Sequence, residues 1–177
     1  MTQYVAFLRA INVGGRTVRM TTLREIFESL GFSDAETFIA SGNVIFKSRS
    51  ANTAVLEKKA EHALEKSLGF EVTTMIRSTA ELAVIVGFDA FPGSSPASTL
   101  YVGLLKSAPD EATCARVSAL STATDEYRVH GRELYWVCHV KTRESVASGA
   151  LLGKTLGVGT TVRNITTLRK LAAKYCR

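Results

Sequence analysis

The order in which predicted strands and helices follow one another constrains the fold more than any other feature of this 177-residue chain. In each half, a strand and a helix precede two consecutive strands, and a second helix and a fourth strand follow. Strands are indicated by alternating apolar residues, and helices by apolar residues spaced three and four apart. The chain repeats this pattern and not a sequence, so we expect two copies of one structural unit.

The first half contains seven predicted elements. They are the strands 5–11, 37–40, 44–47 and 71–76 and the helices 22–30, 54–68 and 79–86. The first helix is expected to be capped by Thr21 or Thr22 and to end at Gly31. Because a Gly-Asn centre is typical of a two-residue turn, Gly42 and Asn43 predict a hairpin between the second and third strands.

The second half begins after a connection rich in proline, glycine and serine at 88–98. This connection separates a predicted N-terminal half, 1–90, from a C-terminal half, 97–177. The elements expected after it are the strands 100–105 and 160–163, a hairpin whose strands flank His130-Gly131, and the helices 109–120, 145–156 and 166–175. The second half thus follows the same order as the first.

A β-α-β-β-α-β unit is the ferredoxin-like split βαβ motif. The predicted fold class is therefore α+β, with two tandem ferredoxin-like units and additional helices. In such a unit the first and second strands are parallel and the third lies between them. The loop 12–15 and the hairpin 41–43 should consequently lie at the same edge of the first sheet.

The net charge of +6 is unevenly distributed along the chain. Residues 1–90 carry 10 basic and 10 acidic side chains, whereas residues 91–177 carry 12 and 6. The basic C-terminal region, 141–177, contains eight basic residues and one acid, Glu144. A shorter basic stretch without acids consists of Arg9, Arg16, Arg19 and Arg24. Clustered positive charge favours phosphates, nucleic acids or acidic proteins as partners, although a solvated basic face gives the same pattern.

The cysteines and the N-terminus argue against several protein classes. Cys114, Cys138 and Cys176 are an odd number, lie far apart and include no C-x-x-C pair, so we expect reduced thiols. The first apolar run is too short for a signal peptide or a membrane span. These features predict a cytoplasmic protein with no membrane association, metal or cofactor, and they leave the oligomeric state open.

Three separated motifs resemble a bacterial family, domain of unknown function 1697. The first is Leu8 to Gly15 with Met20 and Leu23, the second is Thr37 with Ser41-Gly42-Asn43-Val44, and the third is Thr161, Arg163, Asn164 and Thr167. The chain departs from the family at Ala10, where glycine is usual, and at Ile165-Thr166, where Trp-Asn is usual. The resemblance implies a fold and no accepted activity.

A segment that resembles a phosphate-binding loop occurs at 148–155. The consensus G-x-x-x-x-G-K-[ST] places backbone N–H groups around a phosphate. Here Gly149 is one position out of register with Gly153 and Lys154, and leucines at helical spacing predict a helix instead. The phosphate-loop interpretation is therefore disfavoured.

Histidines and aromatic residues give weak signals for other activities. His62, His130 and His139 match no nucleophile or metal-ligand motif, so an enzyme is possible but unsupported. Four aromatic residues, Tyr101, Tyr127, Tyr135 and Trp136, suggest base stacking on a sheet face. However, Tyr135 and Trp136 are neighbours in a strand and so point to opposite faces. Core packing is the simpler explanation for the tryptophan.

The leading functional hypothesis is a binding protein for an anionic small molecule that contains phosphate or carboxylate. Its predicted ligand-binding residues are Arg9, Asn12, Gly14, Gly15, Ser41, Asn43, Arg163 and Asn164. Guanidinium groups and glycine-loop amides both favour anions. For Asn43 taken alone, a role as the left-handed residue of its turn is favoured. The alternatives are a nucleic-acid-binding protein that uses the basic C-terminal region and an enzyme acting on a phosphorylated small molecule.

Overall fold

The computed structural model describes residues 1–39, 42–145, 147 and 149–176. Two compact units are present, Met1–Ala83 with Leu171–Arg177 and Val84–Lys170. Residues 88–98 belong to the second of these units, and their role as the boundary between two halves stays a prediction. Each unit contains one sheet, and each is described below by itself.

The strands and helices follow the predicted order. The first seven are β1 (Thr2–Leu8), α1 (Met20–Ser29), β2 (Ser33–Thr37), β3 (Asn43–Ser48), α2 (Thr53–Leu68), β4 (Thr74–Ser78) and α3 (Thr79–Gly87). The others are β5 (Thr99–Leu105), α4 (Glu111–Ser118), β6 (Asp125–His130), β7 (Glu133–Cys138), α5 (Gly149–Leu156), β8 (Thr160–Asn164) and α6 (Ile165–Tyr175), with a 3-10 helix at Thr142–Glu144 before α5.

The strand orders are β2-β3-β1-β4 in the first sheet and β6-β7-β5-β8 in the second. All neighbouring strands are antiparallel. This is the order of the ferredoxin-like motif, in which the first strand lies between the third and the fourth. The predicted α+β class is confirmed, with two four-stranded antiparallel sheets and accompanying helices, as expected of two tandem ferredoxin-like units.

A large apolar cluster of the first unit packs on one face of its sheet. Tyr4, Ala6 and Leu8 alternate along β1 and belong to the same buried cluster as the apolar residues of α1 and α2. The rings of Phe32 and Phe46 stack within this cluster, with centroids 4.5 Å apart. Burial of these side chains stabilises the unit by about 1.5–3 kcal/mol for each large apolar residue.

Capping explains where the first two helices begin and end. Gly31 adopts φ 77° after α1, as predicted, and its N–H donates to the carbonyl of Glu28 at 2.9 Å. The predicted Thr21 or Thr22 cap is wrong, since α1 begins at Met20 with no side-chain cap. In α2, Asn52 caps the N-terminus and left-handed Gly69 follows the last residue.

The first hairpin differs from its prediction in register. The β2 strand ends at Thr37, earlier than the predicted 37–40, and Asn43 is already the first residue of β3. Because the N–H of Phe38 donates to the carbonyl of Asn43, the connection is longer than a two-residue turn. The second hairpin has a two-residue turn, Gly131-Arg132, since His130 pairs with Glu133.

Aromatic side chains of the second unit belong to its core. Trp136 packs against the buried cluster that contains Leu134 and Tyr127, and its ring stacks on that of Tyr101 at 4.6 Å. Trp136 pairs directly with Tyr101 on one side and with Tyr127 on the other, so the three share a sheet face. This packing accounts for the tryptophan without a nucleic-acid partner.

A buried carboxylate, Asp125, joins three segments of the second unit. Its oxygens accept hydrogen bonds from Trp136 Nε1 at 2.7 Å, Ser145 Oγ at 2.8 Å and Thr124 Oγ1 at 2.6 Å. Burial raises the pKa of Asp125, but these hydrogen bonds outweigh burial and hold the pKa below its ordinary value of 3.8. Asp125 is therefore a charged, fully hydrogen-bonded core residue.

Among the described residues, no helix combines the length and the apolar content that a membrane crossing requires.

We expect Gly42→Ala to lower the free energy of unfolding more than Gly69→Ala. Both glycines are left-handed, at φ 73° and 78°, so each substitution should cost about 1–2 kcal/mol in backbone strain. A Cβ at Gly42 would also lie 3.2 Å from the Cβ atoms of Leu8 and Ile11, whereas one at Gly69 meets nothing within 4 Å. Urea unfolding measures the difference, and equal losses would contradict the close approach.

We expect Asp125→Asn to destabilise the protein by about 1–3 kcal/mol at neutral pH, because an amide cannot replace the carboxylate as acceptor from three donors. Since the folded pKa is lowered, the carboxylate's contribution is present above pH 3.8 and is lost as the pH falls through the folded value. The unfolding free energies of the parent and of Asp125→Asn, measured as a function of pH, should therefore converge in acid.

Asp110→Asn is the matched control for Asp125→Asn. Asp110 caps α4 by accepting from the N–H of Thr113 at 2.8 Å, and asparagine caps helices equally well. If Asp110→Asn lowers the free energy of unfolding as much as Asp125→Asn does, the proposed role of the buried carboxylate is contradicted. The same holds if Asp125→Asn still differs from the parent in acid.

Candidate functional site

The end of β1 and the β2–β3 connection lie at the same end of the strands in the first sheet. Phe7 pairs with Asn43, and the N–H of Leu8 donates to the carbonyl of Gly42 at 2.8 Å. Gly42 also approaches Ile11 too closely to leave free space for a Cβ. The strand register thus places the loop after β1 beside the β2–β3 connection, as the topology predicts.

The β1–α1 loop, residues 9–19, contains a concentration of left-handed backbone. Its four left-handed residues are Ala10 (φ 57°), Asn12 (58°), Gly14 (61°) and Gly15 (80°). Such conformations are easy for glycine and unfavourable for alanine. Turns that contain them can direct successive backbone N–H groups toward one anion. The loop backbone is therefore chemically suited to an anionic ligand.

The side chain of Asn12 holds this loop together. Its Oδ1 accepts a hydrogen bond from the N–H of Val18 at 2.6 Å, and the N–H of Arg16 donates to the carbonyl of Val13 at 3.2 Å. Val18 is buried and lies just before α1. Asn12 consequently has a structural role in closing the loop, and its contact with a ligand stays a prediction.

Exposed positive charge surrounds the β1–α1 loop. The exposed basic residues of the loop are Arg9, Arg16 and Arg19. The guanidinium of Arg16 lies 4.5 Å from the ring centroid of Phe70, within the range of a cation–π interaction. Arg24, on α1, lies 3.7 Å from the carboxylate of Glu28. The local charge thus favours an anion.

Asn43 is a buried structural residue of β3. Its Nδ2 donates to the carbonyl of Phe38 at 3.0 Å, which joins the two sides of the β2–β3 connection. Among the described residues of this connection, Ile39 and Gly42 are left-handed and Asn43 is not, contrary to the interpretation of Asn43 taken alone. Ser41, another predicted ligand-binding residue, lies outside the described residues.

Arg163 and Asn164 lie at the end of β8, in the second unit. Arg163 is only 9% exposed and donates to Thr161 Oγ1 at 2.8 Å and to the carbonyl of Val162 at 3.0 Å. Burial lowers the pKa of Arg163 to about 10. Asn164 Oδ1 accepts from the N–H of Thr166 and so caps α6. Their participation in a site with the N-terminal loops stays a prediction.

A second buried arginine, Arg77, lies in β4 of the first unit and was not predicted from the sequence. Arg77 is fully buried and donates from Nη1 to the carbonyl of Ile76, the residue before it, at 3.0 Å. Arg163 makes the corresponding bond to Val162. The shared spacing, a threonine three residues before each arginine, is visible in the sequence at Thr74 and Thr160.

Residues 149–155 of the segment that resembled a phosphate-binding loop lie in a helix, and Ser148 lies outside the described residues. Gly149, Gly153 and Lys154 all lie in α5, and Thr155 Oγ1 donates to the carbonyl of Leu151 within it. Both glycines and the lysine therefore lie in a helix and not in the glycine-rich loop that the phosphate-binding motif requires. The predicted helix at this position is present, although it begins later than expected.

The three histidines have different surroundings. His62 is exposed on α2, and His130 stacks on the ring of Phe88 with centroids 4.3 Å apart. His139 Nδ1 lies 2.9 Å from Ser98 Oγ, and its Nε2 lies 2.6 Å from Glu126 Oε1. Sequence reasoning missed this trio, because its members are up to 41 residues apart and match no local motif.

The three cysteines are free thiols. Burial raises the pKa of the Cys176 thiol, which donates to the carbonyl of Thr79. In the part of the chain that the structure describes, no group of three His, Cys, Asp or Glu side chains is arranged to hold a metal ion.

Comparison with known proteins gives a fold and a family and does not point to a specific activity. A structure described as that of conserved bacterial protein SP0830 from Streptococcus pneumoniae superimposes with a TM-score of 0.79. It covers 100% of this chain and 99% of that chain at 23% identity, which supports the fold alone. No curated protein matches the chain. The model of a family described as "Protein of unknown function (DUF1697)" matches residues 1–135, and the chain therefore belongs to this family.

Proposed function

We propose that the protein binds a small anion, with a phosphate or carboxylate group, at the β1–α1 loop. Arg9 supplies charge, and the backbone around Gly14 and Gly15 supplies N–H donors. Asn12 and Asn43 keep the loop and the adjacent β2–β3 connection in place. The observation that carries the proposal is the concentration of left-handed residues within one exposed, basic loop.

The backbone conformation supports this proposal because it is energetically unfavourable. Ala10 and Asn12 in the loop and Ile39 in the adjacent connection all have φ near 58°. Each such residue costs about 1–2 kcal/mol relative to ordinary backbone, and a β-branched isoleucine is an especially uncommon case. Strained residues of this kind concentrate at ligand-binding sites, where the geometry serves the ligand.

The electrostatics of the loop support the same ligand class. The chain contains no acidic residue before Glu25, whereas Arg9, Arg16 and Arg19 surround the loop. A guanidinium group presents five N–H donors in a planar arrangement that matches carboxylate and phosphate oxygens. An anion bound here would meet both charge and backbone donors, which is the usual composition of a small-anion site.

Arg9→Ala should weaken binding of inorganic phosphate by about 1.5–3 kcal/mol, the range of a charge-assisted hydrogen bond. Arg9 is exposed, so its removal should leave the melting temperature nearly unchanged. Isothermal titration calorimetry and thermal melts measure both quantities. Arg49→Ala is the matched control, because Arg49 is also exposed but follows β3 at the other end of the first sheet.

Equal phosphate binding by the parent protein, Arg9→Ala and Arg49→Ala would overturn the proposal, as would the absence of phosphate binding by the parent. Binding of a short single-stranded oligonucleotide tests the nucleic-acid alternative. Affinity for a backbone-bound nucleic acid falls steeply with the logarithm of salt concentration. A steep slope that is insensitive to Arg9→Ala would favour the basic C-terminal region over the loop.

Unlike Arg9→Ala, Arg163→Ala should lower the stability of the protein. Its guanidinium is buried and bonded to Thr161 and Val162, so the substitution removes charge-assisted hydrogen bonds and leaves a cavity. We expect a loss of at least about 1.5–3 kcal/mol in the free energy of unfolding, measured with urea. A variant as stable as the parent would contradict a structural role for these hydrogen bonds.

A further inference from the structure

A hydrogen-bonded chain of three side chains lies in the second unit, independent of the proposed anion loop. Ser98 Oγ lies 2.9 Å from His139 Nδ1, and Glu126 Oε1 lies 2.6 Å from His139 Nε2. We propose that Ser98 is a nucleophile, that His139 is its general base, and that Glu126 orients the imidazole. The chemical class of substrate is a carboxylic ester with a good leaving group.

Strand register brings the three residues together. Cys138, the last residue of β7, pairs with Thr99 of β5 and with Asp125 of β6. Ser98 and His139 are the next residues outward along β5 and β7, and the N–H of His139 donates to the carbonyl of Thr124. Because side chains alternate along strands, Ser98, His139 and Glu126 fall on one face of the sheet.

The carboxylate of Glu126 determines the direction of both hydrogen bonds among these three side chains. An ionised Glu126 can only accept, so Nε2 of His139 must carry the proton that it shares with Glu126. In a neutral imidazole, Nδ1 then has the lone pair and can only accept. The hydroxyl of Ser98 must therefore donate to Nδ1, which is the arrangement that activates a serine for nucleophilic attack.

The reaction that follows is acyl transfer and hydrolysis. Ser98 Oγ attacks the carbonyl carbon of the ester while His139 Nδ1 accepts the hydroxyl proton. The bond from carbon to the leaving oxygen then breaks, and His139 returns the proton to the departing alcohol. Water, deprotonated by His139, attacks the acyl-serine and releases the carboxylic acid, which restores Ser98. No oxidant, metal or cofactor enters this balance.

Accessibility determines the substrate class. The side chains of Glu126 and His139 are 50% and 28% exposed, and Ser98 is half-buried, so a small ester can reach the hydroxyl. Because the imidazole and the carboxylate are partly exposed, a developing oxyanion beside them would be solvated, which favours esters that need little transition-state stabilisation. Arg128 shares the sheet face of Glu126, and its guanidinium lies 5.6 Å from the ring centroid of Phe91. These two residues place a cation and an aromatic ring beside the proposed site.

The same hydrogen bonds have a purely structural explanation, in which they attach the 91–98 segment to the sheet. A structural serine would not be more reactive than other serines, and its reactivity would not follow the protonation of histidine. Covalent labelling therefore separates the two explanations. A fluorophosphonate reports directly on an activated serine, because the serine oxygen displaces fluoride from phosphorus and the imidazole takes the proton.

The test is labelling of the intact protein with a fluorophosphonate, followed by peptide mass spectrometry. We expect modification at Ser98, faster at about pH 8 than at about pH 5, because a protonated imidazole cannot accept a proton. His139→Gln should slow labelling by about 100-fold, the usual contribution of a general base. Ser94→Ala, in the same segment, and His62→Ala, at an exposed helical histidine, are the matched controls and should label like the parent.

Glu126 is tested as a positioning residue. Glu126→Gln should slow labelling and change its pH profile, and Glu126→Asp should restore part of the rate. Hydrolysis of p-nitrophenyl acetate should decrease in the same order among the variants. Absence of labelling at Ser98 in the parent protein, or equal labelling of the parent and a folded His139→Gln variant, would overturn the proposal and leave the structural explanation.

Discussion

The pairing of β1 on both sides is the constraint on which the first unit depends. Residues Tyr4 to Leu8 are buried, so their backbone N–H and carbonyl groups need partners within the sheet. The β3 and β4 strands supply them, and the last bonds run from Leu8 to Gly42 and from Arg9 to Thr73. The chain then leaves the sheet at Ala10 with φ 57°. The β1–α1 loop begins where this pairing ends.

The order of the elements could be predicted because local apolar periodicity and glycine positions indicate where strands and helices begin and end. Gly31 follows α1 as predicted, and Gly69 follows the predicted helix 54–68 in the same left-handed conformation, which is a local requirement of a helix end. The register of the first hairpin was not predictable in this way. Gly42 and Asn43 suggested a two-residue turn, but Asn43 pairs with Phe7, and pairing with a distant strand decides where β3 begins.

The candidate loop could be predicted only in part. Topology alone placed residues 12–15 beside the β2–β3 connection, and the glycines indicated an unusual backbone. The bond from Asn12 to Val18 and the burial of Asn43 depend on side-chain packing that no local pattern encodes. The trio around His139 was missed for a related reason, because strand register brings together three residues that are far apart in sequence.

Each of the two sheets has a buried arginine in one of its edge strands. The β4 and β8 strands are at the edges of their sheets, where unpaired backbone groups can pair with another chain. Arg77 and Arg163 face Val5 and Val102 across the ladder, and each guanidinium donates to the carbonyl of the preceding residue. Each guanidinium thus occupies a backbone carbonyl of its own edge strand, and Glu57 and Glu61 accept hydrogen bonds from the N–H groups of Ile76 and Thr74 in β4. Backbone groups that are already bonded are less available to an added strand, while the adjacent Ser78 and Asn164 cap the helices that follow.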